Sequence, residues 1–220
     1  DYIQGWVFAS SCDHMCRLYD NINYLTKPSF SHIIDLPRIK TAEALQWYTE
    51  ELQVLVDKLS SRFGIDMGEE ALSDAIGKYN DLVELILSIG GSRKNEKPLV
   101  TGTEFHSMVT AYLVSPKDMI RESILALHKK LKDRNGIGDY RARLMVVGGE
   151  LDNPGFTETM ESMGGLVVAD RYCTGSMPGL RLIETGDDPL ASIASHTFNN
   201  NLCPRMMKQF ENRLSYILKI

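Results

Sequence analysis

Cys12 and the polar residues crowded around it, Ser10, Ser11, Asp13, His14 and Arg17, are where this chain could do chemistry. A thiol is a nucleophile or a soft metal ligand, and in both roles the thiolate is the working form. Cys16 lies four residues on, so on a helix the two thiols share a face and could give two ligands of a zinc or iron–sulfur centre. A cysteine hydrolase is a poor fit. It needs a histidine beside the thiol and an acid to orient it, and His14, two residues from Cys12, would not share that helix face.

The elements around Cys12 give it a site geometry. Gly5 to Ala9 reads as a short strand, with Val7 and Phe8 buried and parallel-paired, and Leu18, Ile22 and Leu25 recur at helical spacing from Asp13 to Leu25. Cys12 then stands at the carboxyl end of a strand and opens a helix. Open α/β sheets hold ligands at that edge, and the helix amino terminus favours an anion there. Phe30 to Leu36 is the next strand, completing a right-handed βαβ unit. Within it His32 alternates with apolar residues and is expected to be half-buried and structural.

From Thr41 the pattern becomes helical. Thr41 caps a helix to about Arg62, with Leu45, Leu52, Val56 and Leu59 on one stripe, and Gly64 stops it. A second helix runs from about Gly68 to Ser88, with Leu72, Ile76, Tyr79, Leu82, Leu85 and Ile86 inward, and a shorter third follows Thr103. Ser115-Pro116-Lys117-Asp118 predicts a capped start for a helix to about Lys132. The charge run Lys129 to Arg134 suits that helix's end and is assigned no function.

Strands return at Arg141. Leu144 to Val147 is an unbroken apolar run, expected to be a buried parallel strand; Phe156, Met160 and Met163 mark a helix, and Leu166 to Ala169 is the next strand. The turn Gly148-Gly-Glu-Leu-Asp-Asn-Pro154 lacks the Gly-x-Gly-x-x-Gly spacing that cradles a pyrophosphate, and no Walker loop is present, which excludes those nucleotide sites. Cys173 follows the second strand, Asp188-Pro189 starts a helix through Phe198, with His196 structural near its end, and Cys203-Pro204 lies in a loop. The expected fold is two Rossmann-like parallel-sheet α/β domains linked by a helical block: residues 1–40 in the first, 41–138 in the block and 139–220 in the second.

Composition narrows the function classes. A chain of 220 residues with 43% apolar content forms a substantial core. The formal charge of −5 carries no basic run of the kind that neutralises phosphates along a nucleic acid, so nucleic acid is not an expected partner. No stretch has the roughly 20 apolar residues of a membrane span, and no signal segment opens the chain, so a cytoplasmic protein is expected. Four scattered cysteines do not make a disulfide scaffold. Asp1 is no initiator methionine, and Ile220 falls inside the periodic stretch Phe210, Leu214, Ile217, Leu218, so the chain is expected to be an internal fragment.

Ser11-Cys12-Asp13 with Arg17-Leu18-Tyr19-Asp20 resembles the middle cysteine motif of the 2-hydroxyacyl-CoA dehydratase and benzoyl-CoA reductase family. Phe30 to Arg38 is similar to that family's next strand. Asp170-Arg-Tyr-Cys-Thr-Gly-Ser176, Asn201-Leu-Cys-Pro-Arg205 and Asn212-Arg213 are similar to motifs of its second domain. The resemblance implies an iron–sulfur cluster held by three widely separated cysteines, with Cys12 as one ligand. It implies Ser11, Asp13, Arg17 and Cys173 as groups around the site, and Cys203 as a ligand or a near neighbour of one. Only the first cysteine of Cys12-Asp-His-Met-Cys16 belongs to the pattern, so Cys16 reads as packing. With one assured ligand here, the cluster is expected in the full-length protein and not in this piece.

The function implied is a subunit of a cluster-dependent enzyme. Such enzymes take an electron at very low potential from an ATP-hydrolysing iron–sulfur activator, and dehydrate or reduce an acyl-CoA through a ketyl radical. Partners would be a homologous subunit, the activator and the acyl-CoA. The alternatives are a double-cubane-type reductase of small molecules without CoA, and a cluster-free structural partner subunit. No catalytic residue and no residue recognising an acyl group is identified.

Overall fold

The computed structural model describes residues 3–176, 180–200 and 210–218, and these form an α/β chain. In order, the elements are β1 (Trp6–Ala9), α1 (Asp13–Thr26), β2 (Ser31–Ile34), α2 (Ala42–Phe63), α3 (Glu69–Gly91), a short 3-10 turn (Ser92–Lys94), α4 (Gly102–Val114) and α5 (Lys117–Leu131). They continue with β3 (Ala142–Val147), α6 (Gly155–Ser162), β4 (Gly165–Arg171), α7 (Pro189–Asn200) and α8 (Phe210–Leu218). Two compact units result: Asp1–Ile76 with Ile183–Leu214, and Gly77–Leu182 with Ser215–Ile220. Among the described residues no helix is long and apolar enough to cross a membrane.

In the first unit β1 pairs parallel with β2, Trp6 opposite Ser31 through Ala9 opposite Ile34, and α1 makes the crossover. The predicted strand–helix–strand order is therefore present. Its burial differs from expectation: Phe8 is buried at 6% exposure, but Val7 is 47% exposed and α1 buries no residue fully. In a two-stranded sheet one face of each strand has little to cover it, and an apolar sequence does not by itself supply a neighbour. His32 is buried outright, not half-buried.

The core of this unit lies between α2 and α7. Thr41 caps α2 as its sequence predicts, accepting from the Ala44 amide at 3.2 Å, and Gly64 ends it in the left-handed region at φ 65°. Ala44, Tyr48 and Leu52, spaced by four, present one face to Leu190, Ala194 and Phe198 of α7, and the Tyr48 and Phe198 rings lie 6.3 Å apart. The predicted stripe at Leu45 and Val56 flanks that face and is only half-buried. Asp188 caps α7 through the Ala191 amide at 3.0 Å, as expected.

In the second unit Leu82, Val83, Ile86 and Ile89 of α3 pack with Val100, Phe105, Val109, Tyr112 and Ile124. α4 opens with a capping box: the Thr101 hydroxyl accepts from the Glu104 amide at 3.0 Å, and the Glu104 carboxylate accepts from the Thr101 amide at 3.0 Å. Arg134 then grips both Glu104 oxygens, at 2.8 and 2.9 Å, which gives the charge run a structural member. Burial alone would raise the Glu104 carboxyl, but Arg134 and the Thr101 amide outweigh it and hold it below its ordinary range. Ser115 is a correction. It ends α4, its amide bonding Ala111 O at 3.0 Å, and α5 starts at Lys117 without a side-chain cap.

β3 pairs parallel with β4, with a register irregularity between Leu144 and Met145. β4 buries Leu166, Val167, Ala169 and Asp170. β3 is the second correction: its apolar run predicts a buried strand, yet Met145 is 41% and Val147 53% exposed.

Candidate functional site

Cys12 is the N-cap residue of α1, in extended conformation, and its side chain makes no capping hydrogen bond. Its carbonyl accepts from the Met15 amide at 3.0 Å and the Cys16 amide at 3.2 Å, so the main chain turns into the helix at the thiol itself. Ser10 fixes the approach. Its amide bonds Ile34 O at 2.9 Å, and its hydroxyl donates to Asp35 Oδ1 at 2.7 Å while accepting from the Leu36 amide at 2.9 Å. One serine thus ties together the carboxyl ends of both parallel strands, the edge at which α/β sheets hold ligands.

Ser11 and Cys16 are half-buried beside Cys12, and Asp13, His14 and Arg17 are exposed. Arg17 lies 2.8 Å from Asp20 and 3.6 Å from Asp13, which forms an ion-pair ladder along the outer face of α1. Exposed pairs of this kind are worth little to stability. Beneath the same sheet His32 Nδ1 faces Lys58 Nζ at 3.1 Å, while His32 Nε2 has no partner among the described residues. Burial, and then the Lys58 charge, push the imidazole below its ordinary pKa, against an opposing pull from Glu51.

Cys173 follows β4 in the second unit, half-buried, with its amide bonded to Gly149 O at 3.0 Å. The loops after β3 and β4 are held by a group the sequence pattern does not flag. His106, fully buried on α4, donates from Nε2 to Leu151 O at 2.7 Å and faces the Thr157 hydroxyl with Nδ1 at 2.9 Å. Its ring meets Tyr172 edge-on at 4.9 Å, and the Thr174 hydroxyl also donates to Leu151 O. Burial, reinforced by the Asp170 charge, pushes the Tyr172 hydroxyl above its ordinary range.

Asp170 itself is 1% exposed. Oδ2 accepts from Arg93 Nη1 at 2.8 Å, and Oδ1 from the Ser176 amide and hydroxyl at 2.6 and 2.7 Å. The loop wraps so closely that a Cβ on Gly175 would stand 2.4 Å from Asp170 Oδ1. Glu161 performs a similar service for α4, accepting from the Gly102 and Thr103 amides at 2.7 and 3.1 Å. The sequence pattern passes over Glu161, and it includes Asp170 only as the first residue of the Asp170–Ser176 motif, without a role. A signal exists for Asp170, since an acid continuing an apolar strand is seldom buried without a partner.

Cys203 lies outside the described residues. Among those described, no group of three or more His, Cys, Asp and Glu is gathered to hold a metal ion. An iron–sulfur cluster takes about four thiolates. The Cys12 thiol, uncommitted to a cap bond at a helix amino terminus, fits one such ligand, and the remaining ligands have to come from elsewhere.

Parallel strands whose carboxyl edge runs through a thiol into a helix define the class: an α/β protein. The family follows from comparison. The model of the 2-hydroxyglutaryl-CoA dehydratase, D-component family matches residues 1–220, and the chain belongs to that family. It is 22% identical over 201 residues to a benzoyl-CoA reductase subunit of Thauera aromatica, covering 88% of this chain and 51% of that one. It is 24% identical over 190 residues to the Escherichia coli (strain K12) protein named "Putative dehydratase subunit YjiM", covering 82% and 49%. The chain spans about half the length of these curated relatives.

Proposed function

We propose that the full-length protein is the iron–sulfur subunit of an enzyme that dehydrates a 2-hydroxyacyl-CoA or reduces an acyl-CoA, with Cys12 as a cluster ligand. One observation carries the reading: Cys12 stands at the N-cap of α1, at the strand edge pinned by Ser10 and Asp35, in a chain of this dehydratase family. The relatives' names, one a reductase and the other a dehydratase, agree with either reaction.

A bound cluster supplies low-potential electrons for radical chemistry on the thioester. The chain's own residues do the holding. The α1 amides offer positive potential to the anionic ligand set, and the Ser10–Asp35 clamp keeps the strand ends, and so Cys12, in one place. Asp13 and Arg17 set the charge on the outer face of the same turn, and Ser11 flanks the thiol. Cys173 follows β4 in the second unit, and Cys203 is a further candidate ligand.

The parent architecture in this reading is two Rossmann-like domains, begun here by residues 1–40 and 139–220 and joined by the helical block 41–138. A homologous subunit, an ATP-hydrolysing iron–sulfur activator and the acyl-CoA are its partners, in the cytoplasm. The test is spectroscopic. Full-length protein reconstituted without oxygen should show the visible and spin-resonance spectra of a cluster, altered in Cys12→Ser, and should respond to added acyl-CoA. Unchanged spectra in the variant exclude Cys12 as a ligand, and no response to CoA esters favours a reductase of other small molecules.

A further inference from the structure

The second unit contains a cavity of about 300 Å³ where the end of α3 and the 3-10 turn face β4 and the residues beyond it. Among the described residues four cations line it, Arg93, Lys94, Arg171 and Arg181, and no carboxylate does, in a chain whose formal charge is −5. The carbonyl end of α3 favours nearby cations, which accounts for Arg93 and Lys94. It does not account for Arg171 and Arg181, which arrive from β4 and from the stretch after it.

The cationic wall is built, not draped. Arg93 is only 6% exposed, bonded through Nη1 to Asp170 and laid over the Phe105 ring at 3.6 Å. Its Nε, nonetheless, has no hydrogen-bond partner among the described residues. Leaving a buried guanidinium N–H unpaired is costly. Arg171 is steered by bonds from Nη1 to Asp170 O at 2.8 Å and Ser176 Oγ at 3.1 Å, so Ser176 also lines the cavity in a fixed place. Ile86, Leu87 and Leu180 add apolar surface to its lining.

We propose that this cavity binds a small organic phosphate, its phosphoryl oxygens among Arg93, Lys94, Arg171 and Arg181 and its apolar part against Ile86 and Leu180. Guanidinium groups match phosphate oxygens in geometry as well as charge, and the volume is at the small end of ligand pockets, roughly 300–1,000 Å³. Nothing in the proposal involves Cys12 or a cluster, so it stands or falls apart from the function proposed above.

The experiment is calorimetric titration of the full-length protein with adenosine diphosphate, inorganic pyrophosphate and adenosine. The same titrations are run on Lys94→Gln/Arg181→Gln, whose two side chains are exposed, and a matching thermal midpoint shows that this variant folds. Adenosine diphosphate is expected to bind and to weaken by roughly tenfold or more in the variant, as loss of charge-assisted contacts requires. It should also protect residues 86–94 and 168–176 from hydrogen exchange, with pyrophosphate weaker and adenosine not binding. The proposal is overturned if the diphosphate does not bind at about 1 mM. Equal binding to the variant, pyrophosphate as tight as the nucleotide, or adenosine as tight as its diphosphate each overturn it as well.

Discussion

Arg93 and Asp170, 77 residues apart in the chain, meet as an ion pair with Nη1 2.8 Å from Oδ2 and both side chains almost wholly buried. The pair joins the turn after α3 to the end of β4, and the remaining Asp170 oxygen organises the loop through Ser176. Removing one partner leaves an uncompensated charge in the interior. Arg93→Met is therefore expected to destabilise the second unit by about 3–5 kcal/mol. Denaturant unfolding followed by circular dichroism measures it, and a loss under ~1 kcal/mol would show that the carboxylate is compensated by other means.

His106 should matter to the loop that carries Cys173 more than to the core around it. His106→Leu keeps the apolar volume but removes the bonds to Leu151 O and the Thr157 hydroxyl, a net loss of roughly 0.5–1.5 kcal/mol each, since the Thr174 hydroxyl still serves Leu151 O. Hydrogen exchange is expected to accelerate at residues 149–157 and 172–175 before it does in α3. His106→Gln, which can restore one bond, should recover part of the protection. Uniform acceleration across the unit would make His106 an ordinary packing residue.

These two residues also show what a linear sequence conceals. Thr41, Gly64 and Asp188 announce their helix ends because a cap is a local matter of side chain and neighbouring amide, and Cys12 is legible for the same reason, being a thiol placed between a strand and a helix. Local pattern likewise reveals both strand–helix–strand units and the parallel pairing. It cannot reveal the partners of Arg93 or His106, which lie 77 and about 50 residues away. Nor can it reveal the burial of β3. An apolar run says that a strand tolerates an interior, while exposure depends on which other elements cover it, and Val147 has few. Ser115 misleads because α4 and α5 abut so closely that one serine serves the end of the first in place of the start of the second.

The first unit should lose stability in mild acid. His32 has its folded pKa lowered by burial and by Lys58, so the fold prefers the neutral ring. That contribution is complete above the unfolded value of about 6.5 and is lost as pH falls below it toward the folded value. Trp6 and Trp47 both lie in this unit and report its unfolding by fluorescence. His32→Gln, able to accept from Lys58 and unable to titrate, is expected to flatten the dependence between pH 7 and 5, and an unchanged slope would assign the effect to another group.

The start of α4 should respond at lower pH. Glu104 is held below its ordinary 4.5, so its bonds to Arg134 and the Thr101 amide stabilise the fold above that value and fail as pH drops through the folded value. Glu104→Gln is expected to cost about 1 kcal/mol at pH 7, since the cap matters and the exposed pair is screened by solvent. The difference from wild type should shrink as the medium is acidified toward pH 3. A constant difference would mean that shape alone, and not the carboxylate charge, supports the cap.

The role of Cys12 is tested most directly by counting iron. Full-length protein purified without oxygen, beside Cys12→Ser prepared in the same way, is assayed for iron and acid-labile sulfide per chain. About four irons with matching sulfide, falling sharply in the variant, is the result expected of a cluster ligand. Equal iron in the two proteins would remove Cys12 from the ligand set, and no iron in the wild type even after anaerobic reconstitution would contradict the cluster altogether.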